Sequence, residues 1–480
     1  MAQVLTPSSP RHLSARRSRL AIPFVNTSFG TDVQIYLILW PLWWVLGVEQ
    51  LLSPFFLAWE TVRHLLYTGG RFSINAPIRW AFLLALWWLV PVGWVEREHL
   101  DIFLKEAATA WSQVLVLFLF WNGLRTARDW WRVVRGLKIL AAYIALGGLV
   151  FVLGLWRGEV LSLVGRALPA PLIKSSAFFS SISFRTFGTI SARGSLLFQR
   201  VSSFALQFSG LSMVCLLLIP FTAWRLSKVK GVACYGQAIV LVGLLLCLVY
   251  AESRIAYLAF AVGLAVFVAL KFGLFRSPNR SLLLALVALA VALVVGAAHL
   301  AFSEIAQALR TAILEWRPGS WLVRFRIYQE TLRLLPEHLI AGWGIPVRIR
   351  GMLSVYSAGT HSSYLGMLFQ HGVIGLALYL GLWLSIWRKI VKGLRARAIP
   401  RSFRLFWGMA TASMLSFNIR EVADTWWWDQ LVTMTIWTIW GLILTAPRFF
   451  SRWRWSQCVS AREAFSNCSG FPGRENSTFL

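Results

Sequence analysis

His361 and the glycines that follow it have the residue types and spacing that bear most directly on chemistry in this 480-residue chain. They lie in "GTHSSYLGMLFQHGVIG", residues 359 to 375, at the head of an apolar run that continues to about residue 387. Taken as one helix at about 100° per residue, His361 and Gly372 are three turns and about 20° apart, and Gly375 lies about 40° to the other side. The three share a stripe that is polar at its outer end and lined by glycine further in. Small residues let a neighbouring helix come close in lipid, where packing drives association. The glycines are therefore expected to fix a helix pair that aims the histidine. Thr360 and Ser362 suit a helix N-terminus, whose unpaired N–H groups attract anions. An interfacial histidine followed by ordinary packing glycines satisfies the same geometry. His371, deeper in the run, reads as a packing or hydrogen-bonding residue.

The elements that must position these residues are membrane helices. Of the residues, 58% are hydrophobic, only 14% are charged, and mean hydropathy is +0.64. A soluble chain carries roughly a quarter charged residues, so a large soluble protein is a poor fit. Apolar runs at about 33–48, 50–66, 79–95, 107–123, 138–156, 203–223, 232–250, 255–275, 282–302, 361–387, 403–418 and 427–446 each approach the ~20 residues a span needs. The expected fold is an all-α polytopic membrane protein of about twelve transmembrane helices. The first two runs read as a hairpin or as one kinked helix.

The net charge of +28 does not indicate nucleic acid, because the Lys and Arg fall in short segments between apolar runs. Arg125 to Lys138, Arg225 to Lys230, Lys271 to Arg280 and Arg388 to Arg404 make every second loop basic. Placed in the cytoplasm by the positive-inside rule, they put residues 157–202, 251–254, 303–360 and 419–426 outside. Both termini are then cytoplasmic, with basic tails at 1–32 and 447–480 flanking the membrane domain at 33–446. The loop 303–360 has helical periodicity in "EIAQALRTAILEW" and "RFRIYQETLRLLPEHLI", so two amphipathic helices are expected over the outer surface. The five cysteines have no metal-ligand spacing. No Asp-x-Asp, Walker loop or dinucleotide fingerprint occurs, and no metal or cofactor is expected. Trp426, Trp427 and Trp428 read by default as an aromatic belt.

The pattern His361-Ser362, nine residues, Gly372, two residues, Gly375 resembles the signature of the O-antigen ligase superfamily. "SWLVRFRIYQETLRLLPEHLIAGWG" resembles the family's loop, in which an Arg-bearing helix leads to a Gly-Trp-Gly turn before the histidine. "AESRIAYLAF" resembles its Ser-Arg entry to an earlier helix, and "FRTFGTISARGSLLF" its Arg-x-x-Gly-Thr segment. The likeness covers about residues 180–445. The Pro-Asn expected soon after Gly188-Thr189 is absent, with Ser-Ala-Arg-Gly in its place.

The resemblance implies a metal-independent, inverting glycosyltransferase that moves a glycan from an undecaprenyl-pyrophosphate-type carrier to an acceptor hydroxyl. The acceptor would be lipid A-core or another glycan, at the outer face of the cytoplasmic membrane. Arg254, at the outward end of a helix, needs a partner or a polar cavity. Arg185, Arg193, Arg324, Arg326, Arg348 and Arg350 also lie in outward segments, against the topological trend, and that excess calls for an anionic ligand. On this reading Arg254, Arg185 and Arg324 or Arg326 stabilise the pyrophosphate leaving group, and His361 orients or deprotonates the acceptor. Expected partners are the lipid-linked oligosaccharide, the acceptor and membrane lipids; no oligomeric state follows. A polymerase or protein glycosyltransferase of the superfamily, or a bicarbonate transporter-like protein, are the alternatives. The apolar middle of most runs favours the enzyme.

Overall fold

The computed structural model describes residues 28–156, 158–175, 177–193, 196–226, 231–251, 253–271, 318–350, 357–395, 401–427 and 429–468. Its first six helices are α1 (Phe29–Ile38), α2 (Trp40–Leu46), α3 (Glu49–Thr68), α4 (Ala76–Trp88), α5 (Leu100–Gly123) and α6 (Ala127–Val152). Short elements follow: β1 (Val160–Leu161), α7 (Leu163–Ala167), α8 (Ala170–Ser175), α9 (Ala177–Ser183), β2 (Phe184–Arg185), and the hairpin of β3 (Gly188–Arg193) and β4 (Leu196–Val201). The described chain continues through α10 (Phe208–Leu226), α11 (Val232–Tyr250), α12 (Arg254–Lys271), α13 (Pro318–Leu334), β5 (Val347–Arg348), β6 (Ser357–Ala358), α14 (Ser363–Arg395), α15 (Arg401–Glu421) and α16 (Gln430–Cys468).

Among the described residues, seven helices are long and apolar enough to cross a membrane, or eight if the bent pair α1–α2 is one span. The expected run 282–302 lies outside the described residues. The apolar part of α12, Ile255–Leu270, is shorter than a full span. The helices α3 and α15 have the length, but Glu49, Glu60 and Arg63 interrupt the first, while Arg401, Arg404, Arg420 and Glu421 flank the second.

The first two runs form an antiparallel hairpin. Pro41 at the start of α2 accompanies a 55° bend, and Gly47, with φ +83°, ends it. The Tyr36 hydroxyl then lies 2.6 Å from Ser53 Oγ, the Tyr36 ring stacks on Phe56 at 4.7 Å, and Arg63 pairs with Asp32. The described basic residues Arg125, Arg132, Lys389 and Arg448 gather at one end of the bundle. Arg125 covers the Tyr67 ring at 4.7 Å, Arg132 donates to Ser28 Oγ at 2.9 Å, and Lys389 and Arg448 both sit over Trp121. His361, Asp424 and the hairpin β3–β4 belong to the other end.

Close helix contact follows small residues. Ser416 Oγ of α15 donates to the Ala259 carbonyl of α12 at 2.8 Å, and Gly263 leaves no room for a Cβ against Ser416. Gly408 faces Phe267 and Leu270, so the two helices run antiparallel. This brings the start of α12 and the end of α15 to one level of the bundle. Of the two amphipathic helices expected in the long loop, the second is present as α13, and residues 304–317 lie outside the described residues. Trp426 and Trp427 correct the belt reading. They are 3% and 4% exposed, and Trp426 Nε1 donates to Glu421 Oε1 at 2.6 Å inside the bundle.

Candidate active site at the start of the broken helix

The continuous stripe expected from His361 to Gly375 does not form. His361 precedes α14, which opens at Ser363, and the helix breaks at Gly372, where φ is +67° and ψ −172°. That conformation is open essentially to glycine alone. A break at membrane depth exposes backbone groups that lipid cannot satisfy. The turn after α13 supplies the partners. Trp343 N donates to Phe369 O at 2.9 Å, Gly344 N donates to Gln370 O at 2.7 Å, and Val373 N donates to Leu339 O at 2.9 Å. Trp87 Nε1 of α4 takes the His371 carbonyl at 2.8 Å.

The close approach requires glycine on both sides. A Cβ on Gly372 would collide with the Ile340 carbonyl, and one on Gly342, at φ +79°, with the backbone of Gln370. Gly372 thus receives a loop rather than a neighbouring helix, which corrects the expected role. Gly375 does face a neighbouring helix: its Cβ position lies 3.4 Å from the Trp87 ring of α4. His371 is fully buried with its ring centroid 3.9 Å from that of Trp88, in keeping with a packing role.

The docked loop fixes His361. Its backbone is left-handed at φ +61°, a conformation costing a non-glycine residue of order 1–3 kcal/mol and held only where the surroundings over-determine it. Tyr328 of α13 donates its hydroxyl to the His361 carbonyl at 2.7 Å. Two residues earlier, Gly359 N donates to Thr331 Oγ1 at 2.9 Å, and Gly359 O accepts from Gln370 Nε2 at 3.2 Å. On the other flank, Ser362 Oγ caps the helix by accepting from Leu365 N at 3.2 Å. Ser363 donates both its N–H and its hydroxyl to the Asp424 carbonyl, at 3.1 and 3.0 Å. The histidine is therefore clamped between α13 and the α15–α16 connection.

Charged groups from three elements surround it. Arg420, 1% exposed, donates from Nη2 to Asp424 Oδ2 at 2.6 Å and from Nε to Ser212 Oγ at 3.2 Å. Burial pushes the His361 imidazole below its usual range; Asp424 opposes the shift, while Arg324 and Arg420 add to it. Burial alone would raise the Asp424 carboxyl, but Arg420, His361 and Arg324 together hold it below the usual carboxylate range. The resulting site contains a neutral imidazole, an ionised carboxylate and two guanidinium groups. It can accept a proton at His361 and hold an anion.

The remaining sequence-derived candidates divide. Arg324 joins the cluster from α13. Arg326, two residues on, is exposed, and no described contact joins it to the cluster. Arg348 and Arg350 are also exposed. Arg185 is occupied elsewhere. It is 2% exposed, donates to both Glu49 oxygens at 2.9 Å and to the Trp44 carbonyl at 2.6 Å, and so ties β2 to the α2–α3 turn. A buried ion pair of this kind is costly to open, and its described partners lie outside the His361 cluster. Arg254 opens α12, with its side chain outside the description. It lies five residues, about 8 Å, above Ala259, and Arg420 lies four residues, about 6 Å, above Ser416, so both backbones reach the same level.

Arg420, the ion pair it makes with Asp424 and the Tyr328 hydrogen bond were not among the sequence-derived candidates. Arg420 carried the signal used for Arg254, a cation at the end of a largely apolar helix, with an acidic residue at i+4.

These features define the class as a polytopic α-helical membrane protein with a largely buried histidine beside two arginines and an aspartate at one end of the bundle. Residues 239–380 match the family model described as O-antigen ligase, so this segment is similar to that family. The match runs from within α11 through α12 and α13 to about the middle of the broken helix α14; Arg420 and Asp424 lie beyond it. None of the curated proteins matches the chain.

Proposed function

We propose that this protein transfers a glycan from an undecaprenyl-pyrophosphate-type carrier to an acceptor hydroxyl, as an O-antigen ligase does, at the outer face of the cytoplasmic membrane. The observation that carries the reading is the left-handed His361, fixed beside Asp424, Arg420 and Arg324 within a segment that matches the O-antigen ligase family. Neutral His361 accepts the acceptor's proton as the hydroxyl oxygen attacks the anomeric carbon. The C1–O bond to the pyrophosphate breaks on the opposite face, inverting that carbon. Arg324 and Arg254 take up the charge growing on the leaving group, so the step runs on fixed cations without a metal. The described basic residues Arg125, Arg132, Lys389 and Arg448 lie at the end away from His361, which supports cytoplasmic termini and a site on the outer face.

The test supplies purified protein with a lipid-linked oligosaccharide and one acceptor at a time. Transfer to lipid A-core supports the ligase. Extension of a second lipid-linked glycan instead assigns the polymerase of the same superfamily. No transfer to any acceptor, together with labelled bicarbonate uptake into proteoliposomes, overturns the reading in favour of transport.

A further inference from the structure

We propose that Arg420 is a substrate-binding residue of this site: with Arg324 it grips the phosphate groups of an anionic lipid-linked ligand, and Asp424 positions it. The functional reading above supplies only the identity of that ligand, a polyprenyl pyrophosphate.

The first observation is that Arg420 Nη1 is buried with no hydrogen-bond partner among the described residues, although Nη2 and Nε are both engaged. A buried donor of a charged group is costly to leave unpaired. The second is the count of charges. Arg324 and Arg420 sit near one carboxylate, Asp424, and His361 stands beside them as a neutral ring. Glu421, the next residue, does not make up the deficit. It accepts from Tyr379, Asn418 and Trp426 in a pocket of its own. Among the described residues one positive charge is left over in a largely buried cluster, and buried charge is retained where it meets a counter-charge.

The third observation is Arg324, half-buried on the loop helix, with no hydrogen bond or ion pair among the described residues. Tyr328, one turn further along α13, fixes the His361 carbonyl, so this face of the helix adjoins the histidine. The fourth is the level of the α12–α15 pair, which brings the Arg254 and Arg420 backbones to the same end. Two guanidinium groups that stay charged and offer planar donor forks match the oxygens of a pyrophosphate. With Nη2 held by Asp424, Arg420 presents a fixed Nη1 rather than a freely rotating one.

The experiment measures binding of geranylgeranyl pyrophosphate and of inorganic pyrophosphate to the full-length protein in detergent by calorimetry. Wild type is compared with Arg420→Gln and with the double variant Arg420→Gln/Asp424→Asn. Loss of one charge-assisted contact predicts a Kd roughly 10–100-fold weaker in the single variant. The double variant leaves no unpaired buried carboxylate, so it carries the test if the single variant does not fold. It is expected to bind as weakly as the single variant. Tighter binding of the prenylated compound assigns a lipid-borne phosphate, and equal binding assigns a free one. Wild-type affinity in either variant would show that Arg420 only neutralises Asp424, and that or the lack of saturable binding by wild type would overturn the proposal. Transfer is not read in this assay, so inability of the chain to transfer a glycan would leave the result intact.

Discussion

Gly372→Ala tests the docking that holds His361. At φ +67° and ψ −172° the alanine enters a region costing of order 1–3 kcal/mol. Its Cβ also meets the Ile340 carbonyl, a backbone atom that cannot rotate aside. Relief requires the turn at 339–344 to withdraw, weakening the bonds from Trp343 N, Gly344 N and Val373 N, each worth roughly 0.5–1.5 kcal/mol. Strain and lost bonds together come to about 2–4 kcal/mol, or about 30- to 1,000-fold in the docked population. The assay is glycan transfer by purified protein, with limited proteolysis of the long loop as a second readout. Transfer is expected to fall at least about tenfold, with faster cleavage near residues 339–344. Gly236→Ala is the control. Gly236 sits within α11 with open space around it, so alanine there should leave activity unchanged and stabilise by roughly 0.5–1 kcal/mol. A Gly372→Ala protein with wild-type transfer and wild-type protection of the loop would refute the docking argument.

Other consequences concern single contacts. Tyr328→Phe removes the donor to the His361 carbonyl and should lower kcat by roughly 5- to 100-fold with little change in KM, measured by steady-state transfer. The folded-state pKa of His361 lies below the usual value, so the histidine stays neutral at pH 7 and transfer fails only as pH falls through that lowered pKa. Asp424 opposes the shift, so Asp424→Asn should move the acid limb of the pH–rate profile lower still; an upward move would contradict the electrostatics. Glu49→Gln should lower the thermal midpoint, with about 3–5 kcal/mol lost from opening a buried pair, while leaving donor affinity unchanged; weakened donor binding would return Arg185 to the site.

Composition and hydropathy made the membrane class legible, because lipid admits few charged residues along a span. The spacing of His361, Gly372 and Gly375 singled out a segment that the family match at residues 239–380 includes. The phase relation between His361 and Gly372 was not legible. Helical periodicity assumes unbroken geometry, and glycine in an apolar run marks close packing and a positive-φ break equally well. Arg185 and Arg326 show a second limit. Position in an outward loop does not reveal that a carboxylate 136 positions away will engage Arg185, nor which face of α13 will carry Arg326. Arg420 was readable in principle, since the argument applied to Arg254 holds equally at the end of α15. Its pairing with Asp424, and the grip of the Asp424 carbonyl on Ser363, depend on how α14 and α15 meet.

The most direct measurement is glycan transfer by His361→Ala, with a purified lipid-linked oligosaccharide and the acceptor that serves wild type. Binding of the donor is recorded in the same preparation. Folding and donor binding are expected to be retained, with transfer reduced by roughly 10²–10⁴-fold, the range a positioned acid–base group contributes. Transfer by His361→Ala at the wild-type rate would contradict this expectation.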